Sequence, residues 1–154
     1  MIRKAEEKDL ERAAALAAEL WPEHAAAALA EEFRALLNSG NGVLFLASEA
    51  GRDTGFAQAG LRHDYVEGTE SSPVGYLEGI YVREEARGRG TARGLLAACE
   101  AWAVERGCRE FASDCELDNT ASLAFHLRTG FTEANRIICF VKPLKPEKGE
   151  KDEC

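Results

Sequence analysis

The chain has no C-x-x-C pair, no apolar run of membrane-spanning length and no excess of positive charge. Its five cysteines, Cys99, Cys108, Cys115, Cys139 and Cys154, are odd in number and scattered. That spacing fits neither a disulfide framework nor a zinc site, so no metal is expected and the cysteines read as reduced thiols, several of them in the core. Without about 20 consecutive apolar residues there is no candidate membrane helix. Met1 leads straight into charged residues with no apolar segment of secretory type, so the expected compartment is the cytoplasm. A formal charge of −8 repels polyanions, which makes nucleic acid an unsuitable partner and a polycation a suitable one.

What the chain does have is an ordinary apolar complement. Of its 154 residues 45% are hydrophobic, enough for one core, and residues 1–144 are expected to form a single domain. In 145–154 charged residues, Pro and Gly prevail, the composition of a disordered tail.

The rest is organised around 75–107. Residues 75–82 are apolar and aromatic except for Glu78, which predicts a strand covered on both faces. Ala92, Leu95, Leu96, Cys99, Trp102 and Ala103 make the stripe of an amphipathic helix, with Gly107 as its left-handed stop. Between strand and helix lie Arg87, Gly88, Arg89, Gly90, Thr91 and Ala92. Small residues there let backbone N–H groups approach a ligand, and a helix N-terminus favours an anion, so the segment reads as a phosphate cradle. A plain glycine-rich surface turn is the alternative. A dinucleotide fingerprint fails, because Gly94 falls one residue late and no acid ends a second strand.

In chain order, an edge strand at 1–4 precedes helices at 7–20 and 23–38, broken by Trp21-Pro22 and ended before Gly40. Trp21 suits either a core plug or a cleft wall. Apolar strands 43–49 and 54–65 flank a turn at 50–53, followed by a polar loop at 66–72. A short strand at 110–114, a helix at 119–129 capped by Asn119 and a hairpin of 131–135 with 137–141 complete the pattern.

The strand, cradle and helix resemble the acetyl-CoA-binding core of the GCN5-related N-acetyltransferases. Their signature, Gln or Arg, two residues, Gly, one residue, then Gly or Ala, is met by Arg87, Gly90 and Ala92. Asn119 and the closing Gly130-Phe131 sit where that family places its second CoA-contacting helix. The resemblance implies an α+β fold whose central mixed, mostly antiparallel sheet has a splayed strand pair and is flanked by about four helices. It also implies that the backbone of Ile80, Tyr81 and Val82 bonds the pantetheine arm, with Gly79 as the source of a bulge.

Longer strings are similar to the aminoglycoside 6'-N-acetyltransferases. They are Asp64-Tyr65-Val66-Glu67-Gly68-Thr69-Glu70, the run from Ser72 to Val82, and Phe111-Ala112-Ser113-Asp114, with Leu20-Trp21 and Asp118-Asn119. By position the resemblance implies Trp21, Tyr65, Glu78 and Asp114 as drug contacts and Asn119 as a further CoA contact. Asn135 stands where relatives carry a substrate glutamate, with Glu133 two residues earlier. His126 stands where many members have a tyrosine that assists the leaving thiolate, which suits it either to protonate the sulfur or to pack against CoA. A homodimer is implied too, paired through C-terminal strands, with the partner's Tyr65 loop completing the drug site.

A carboxylate in an apolar strand is costly unless paired or hydrated, which makes Glu78 the first candidate base and Asp114, on the next strand, its companion. Together they would bind a cationic amine and take its proton through water. The bland alternative is that Glu78 answers a buried arginine and Asp114 opens a turn. The expected activity is acetyl transfer from acetyl-CoA to the 6'-amino group of an aminoglycoside. A polyamine or protein N-terminal acetyltransferase, or a non-catalytic CoA-binding domain, are the alternatives. The last would dispense with the carboxylate or the cradle, and both are present.

Overall fold

The computed structural model describes residues 1–146. In order come β1 (Ile2–Lys4), a 3-10 turn (Glu7–Asp9), α1 (Leu10–Leu20), α2 (Ala26–Ser39), β2 (Gly42–Glu49) and β3 (Arg52–Arg62). There follow β4 (Val74–Val82), a second 3-10 turn (Glu84–Ala86), α3 (Thr91–Glu105), β5 (Phe111–Ala112) and α4 (Thr120–Arg128). The strands form one sheet in the order β1-β2-β3-β4-β5, antiparallel throughout except for β4 against β5. This is the mixed α+β architecture with four helices that the resemblance implies.

Alternation along β2 sends Val43 and Ala47 to one face and Leu44 and Leu46 to the other, as the pleat requires. The first face packs on α3 through Leu95, Leu96, Cys99, Trp102 and Ala103. The second packs on α1 and α2 through Leu10, Leu16, Leu29 and Phe33. Ala50 and Gly51 close the β2–β3 hairpin with φ of 52° and 79°, the doubly positive turn whose twist matches its strands. Gly40 and Gly107, at φ 75° and 88°, follow α2 and α3 as the left-handed stops expected.

Several boundaries differ from expectation. No hairpin forms at 131–141, since residues 131–146 hold neither strand nor helix. Ile137, Ile138, Phe140 and Val141 are 68%, 78%, 90% and 93% exposed. A strand persists only where a neighbour takes its backbone hydrogen bonds, and no described part of this chain does so. β5 covers 111–112 instead of 110–114, because β4 and β5 part after the pair Tyr76 and Ala112. The splay is thus real and begins early. β3 stops at Arg62, which leaves Tyr65 in the loop. β4 is buried from Val74 to Leu77 but opens from Glu78 to Tyr81, so it is not covered on both faces throughout. The tail expected at 145–154 lies from 147 onward outside the described residues.

Candidate active site

The cradle is made by backbone conformation. Gly88 and Gly90 both have φ 81°, and a Cβ on either would meet nothing within 4 Å. Glycine is therefore needed for the turn and not for packing. Gly90 is the N-cap of α3 and supplies no side-chain cap, so the first-turn N–H groups have no intrahelical or capping partner. Arg87 donates from Nε to the Val82 carbonyl at 2.7 Å. Arg89 donates to Glu49 at 2.6 Å and to the Glu85 carbonyl at 3.3 Å. Its guanidinium is tied to the β2–β3 corner, so a phosphate must compete with Glu49 for it.

β4 is paired with β3 at Ile80, Tyr81 and Val82, while its other edge is released once β5 diverges. That edge can bond an extended ligand. Opposite Gln58 and Ala59 the register skips from Gly79 to Leu77, so the residue left over is Glu78, next to the glycine expected to supply the bulge. A bulge re-aims the side chain it carries. A Cβ on Gly79 would lie 2.7 Å from the Trp21 ring, so the glycine lets the indole lie against the strand. Trp21 is half-buried, edge-on to Phe56 at 6.0 Å between ring centroids. It therefore packs in the core against Phe56 and the Gly79 backbone, one residue along from Glu78.

Glu78 is not a buried orphan. Its side chain is 31% exposed, and the arginine that answers it is Arg62, itself 43% exposed. Nη2 of Arg62 donates to both carboxylate oxygens at 3.1 and 2.9 Å, and Nε to one of them at 3.3 Å. The same guanidinium lies 3.6 Å above the ring centroid of Tyr76. Tyr76 in turn donates its hydroxyl proton to Asp114. Burial first, then the bond to Asp114, pushes the Tyr76 phenol well above its usual value, so it remains a donor. The expected carboxylate pair is thus joined through Arg62 and Tyr76.

At the apex of the fork sits Ser113. Its hydroxyl lies 2.8 Å from Nε2 of His126, whose Nδ1 is 2.7 Å from the Ser122 carbonyl. A carbonyl only accepts, so the proton is on Nδ1, and Nε2 accepts from Ser113. His126 therefore reaches the fork through Ser113.

Other expected site residues take no part in the contacts that join Glu78, Arg62, Tyr76 and Asp114. Tyr65 is 76% exposed on the 63–73 loop, which is held by Val66 in a small core with Val74 and Tyr76. Asn135 is exposed and accepts from the Arg136 N–H at 2.8 Å, beside the Glu133–Arg136 ion pair. Asn119 caps α4, its Oδ1 accepting from the Ser122 N–H at 3.0 Å.

The acetyltransferase (GNAT) family matches residues 8–131. The chain belongs to the GNAT acetyltransferase family. Aminoglycoside N(6')-acetyltransferase type 1 of Stenotrophomonas maltophilia is 46% identical over 146 residues, 94% of this chain and 94% of that protein. The protein of the same name from Salmonella enteritidis is 41% identical over 141 residues, 92% of this chain and 97% of its own. Among solved structures, aminoglycoside N-acetyltransferase AAC(6')-Iy in complex with CoA superposes with a TM-score of 0.89. It is 41% identical over 92% of this chain and 93% of that one. AAC(6')-Iy in complex with the bisubstrate analog CoA-S-monomethyl-acetylneamine also gives a TM-score of 0.89, at 40% identity over 94% and 98% of the two chains.

Within the GNAT frame, reading the sequence missed Arg62, Tyr76 and Ser113. Only Tyr76 had a usable signal, since it precedes Glu78 by two residues and so shares its face of the strand. Arg62 lies across an irregular loop whose length hides the register, and Ser113 gains its meaning from a helix that follows.

Proposed function

We propose that this protein transfers the acetyl group of acetyl-CoA to the 6'-amino group of aminoglycoside antibiotics, and so confers resistance to them. The observation that carries this reading is the 46% identity, over 94% of both chains, to an aminoglycoside N(6')-acetyltransferase. Residues 1–144 act as one acetyltransferase domain. Its location is the cytoplasm, where acetyl-CoA is supplied.

The pyrophosphate of acetyl-CoA is held by Gly88, Gly90, Thr91 and Ala92 at the α3 N-terminus, with Arg87 and Arg89 alongside. The pantetheine arm lies against Ile80, Tyr81 and Val82, and Asn119 adds a contact from α4. A polycationic drug is drawn by the acidic surface, rests on Trp21 and is held by Asp114. Glu78 takes a proton from the 6'-ammonium through water. The freed amine attacks the thioester carbonyl, the C–N bond forms, and the C–S bond breaks with its electron pair staying on sulfur. The surplus proton on nitrogen leaves to solvent. His126 and the Ser113 hydroxyl bonded to it relay a proton from solvent to sulfur.

The working form is a homodimer. Support comes from the exposed apolar run at 137–141, an aggregation hazard unless a second copy covers it. Gly68 of the Tyr65 loop packs against Ala134, where a Cβ would come within 2.6 Å, so the loop and the C-terminal segment travel together. Asn135 and Tyr65 then reach the drug site from such a pairing. Light scattering at micromolar concentration should give twice the chain mass, and a monomer overturns the dimer.

Thiol release from acetyl-CoA, measured in parallel with kanamycin-type drugs, spermidine and peptides, tests the activity. Turnover is expected with the drugs. Turnover confined to spermidine or peptides, or none with any amine, overturns it.

A further inference from the structure

The reaction proposed above needs Glu78 to receive a substrate ammonium, yet a cation of the protein already sits on it. We infer that Arg62 is a built-in stand-in for the substrate's cation, which an incoming ammonium must displace, and that this exchange selects substrates carrying several positive charges. The inference rests on the proposed transfer to an aminoglycoside.

Arg62 has what a bound ammonium would seek. Its guanidinium donates to both oxygens of Glu78, at 3.1 and 2.9 Å. It also lies over the aromatic face of Tyr76, 3.6 Å from the ring centroid, a favourable place for any cation. Tyr76 carries the contact on to Asp114. One positive charge thus bridges the acidic groups on which drug binding depends.

The exposure of the pair makes exchange feasible. With side chains 43% and 31% exposed, Arg62 and Glu78 form the kind of ion pair that contributes little to stability. Arg62 is the last residue of β3, and its side chain has solvent to turn into. A substrate with a single ammonium gains on Glu78 only what Arg62 gives up. A substrate with several can engage Glu78 and Asp114 at once and comes out ahead. Arg62 is therefore a specificity-determining residue, which raises the threshold for monoamines more than for polycations.

The test uses the full chain with Arg62→Met, which keeps an apolar stem over Tyr76, and Arg62→Lys, which keeps the charge without the planar fork. Probes are kanamycin and 6-amino-6-deoxyglucose, a sugar with one amine. Removing a weak ion pair and a stacked cation should lower KM for the monoamine about tenfold, and for kanamycin less. Their kcat/KM ratio should narrow, KM for acetyl-CoA should stay put, and Arg62→Lys should fall between. If Arg62→Met lowers kcat with KM unmoved and Arg62→Lys restores it, Arg62 positions Glu78 and the inference is overturned. A raised KM overturns it as well, since Arg62 would then hold the drug directly. Should Arg62→Met fail to fold, Arg62→Lys with the monoamine decides by the same KM criterion. If the parent acetylates no aminoglycoside, the proposed function fails separately. Calorimetry with kanamycin then judges Arg62: tighter binding by Arg62→Met upholds it, and equal or weaker binding overturns it.

Discussion

Two carboxylates in this protein, Asp9 and Glu78, are each gripped by the fork of an arginine, one buried and one open to solvent. Asp9 accepts from Arg3 at 2.9 and 2.8 Å, from Arg12 at 3.3 Å and from the Glu6 N–H at 2.8 Å. Its side chain is fully buried, and Arg12 continues to Asp53 at 2.9 and 2.8 Å. The Arg3 bond, outweighing burial, holds the Asp9 carboxyl far below the usual carboxylate range. Glu78 has a comparable fork from Arg62 but nothing further, and it faces solvent. A charge whose lone pairs are all used inside the fold is structural. One held by a single partner and open to solvent is free to bind a second cation. Treating a carboxylate in apolar surroundings as functional leads to Glu78, yet the buried carboxylate is Asp9, inside a stretch that reads as helix.

Substitution of Glu78 carries the largest expected effect. Glu78→Gln should lower kcat about 10²–10⁴-fold, the usual cost of losing a general base, and remove the acid limb of the rate profile. Its urea midpoint should barely move, since exposed ion pairs are worth only about 0–1 kcal/mol. Asp114→Asn should chiefly raise KM for the drug, as loss of uniform binding does. Near-parental kcat in Glu78→Gln, with an unchanged pH profile, would sink the assignment.

Asp9→Asn should reverse that pattern. It removes the charge that answers Arg3, while Arg12 keeps Asp53, and it leaves a buried amide NH₂ facing the donors that Asp9 had satisfied, at a cost of about 1–3 kcal/mol, read from urea unfolding, with KM for both substrates unchanged. Asp9 binds its proton less tightly folded than unfolded. Its contribution is therefore complete above the unfolded pKa of about 3.9 and fades as pH falls below it. The parent should lose stability between about pH 4 and 2, and Asp9→Asn should lose less across that window. An equal loss in both would assign the acid sensitivity to other carboxylates.

What the sequence reveals of these two sites follows from how local each is. The turn at Gly88 to Gly90 and the stripe of α3 are legible because positive-φ glycines and a helical period are set within a few residues. The β2–β3 turn is legible for the same reason. The Arg62–Glu78 contact is not, because the loop 63–73 hides which residue of β3 faces which of β4. β5 shrinks to two residues because its length depends on how far β4 follows it. The 137–141 run reads as strand from its composition, yet composition cannot show that no partner edge meets it among the described residues.

Asn119 has a structural role as the cap of α4 and a proposed one at CoA, and its substitutions carry the smallest expected effects. Its Oδ1 caps α4 at the Ser122 N–H, while its amide NH₂ makes no protein bond among the described residues. α4 has no fully buried residue, so it leans on that cap more than α1 or α3 would, and it carries His126. Asn119→Ala removes oxygen and nitrogen together and should cost about 1 kcal/mol, seen as faster hydrogen exchange in α4. Asn119→Asp keeps an acceptor at a helix N-terminus, where negative charge is welcome, and deletes only the donor. If the NH₂ contacts CoA, Asn119→Asp should fold as well as the parent yet raise KM for acetyl-CoA, through the lost donor and the added negative charge near phosphate. An Asn119→Asp protein with parental stability and parental KM would place Asn119 wholly with Asp9, as a group spent on the fold.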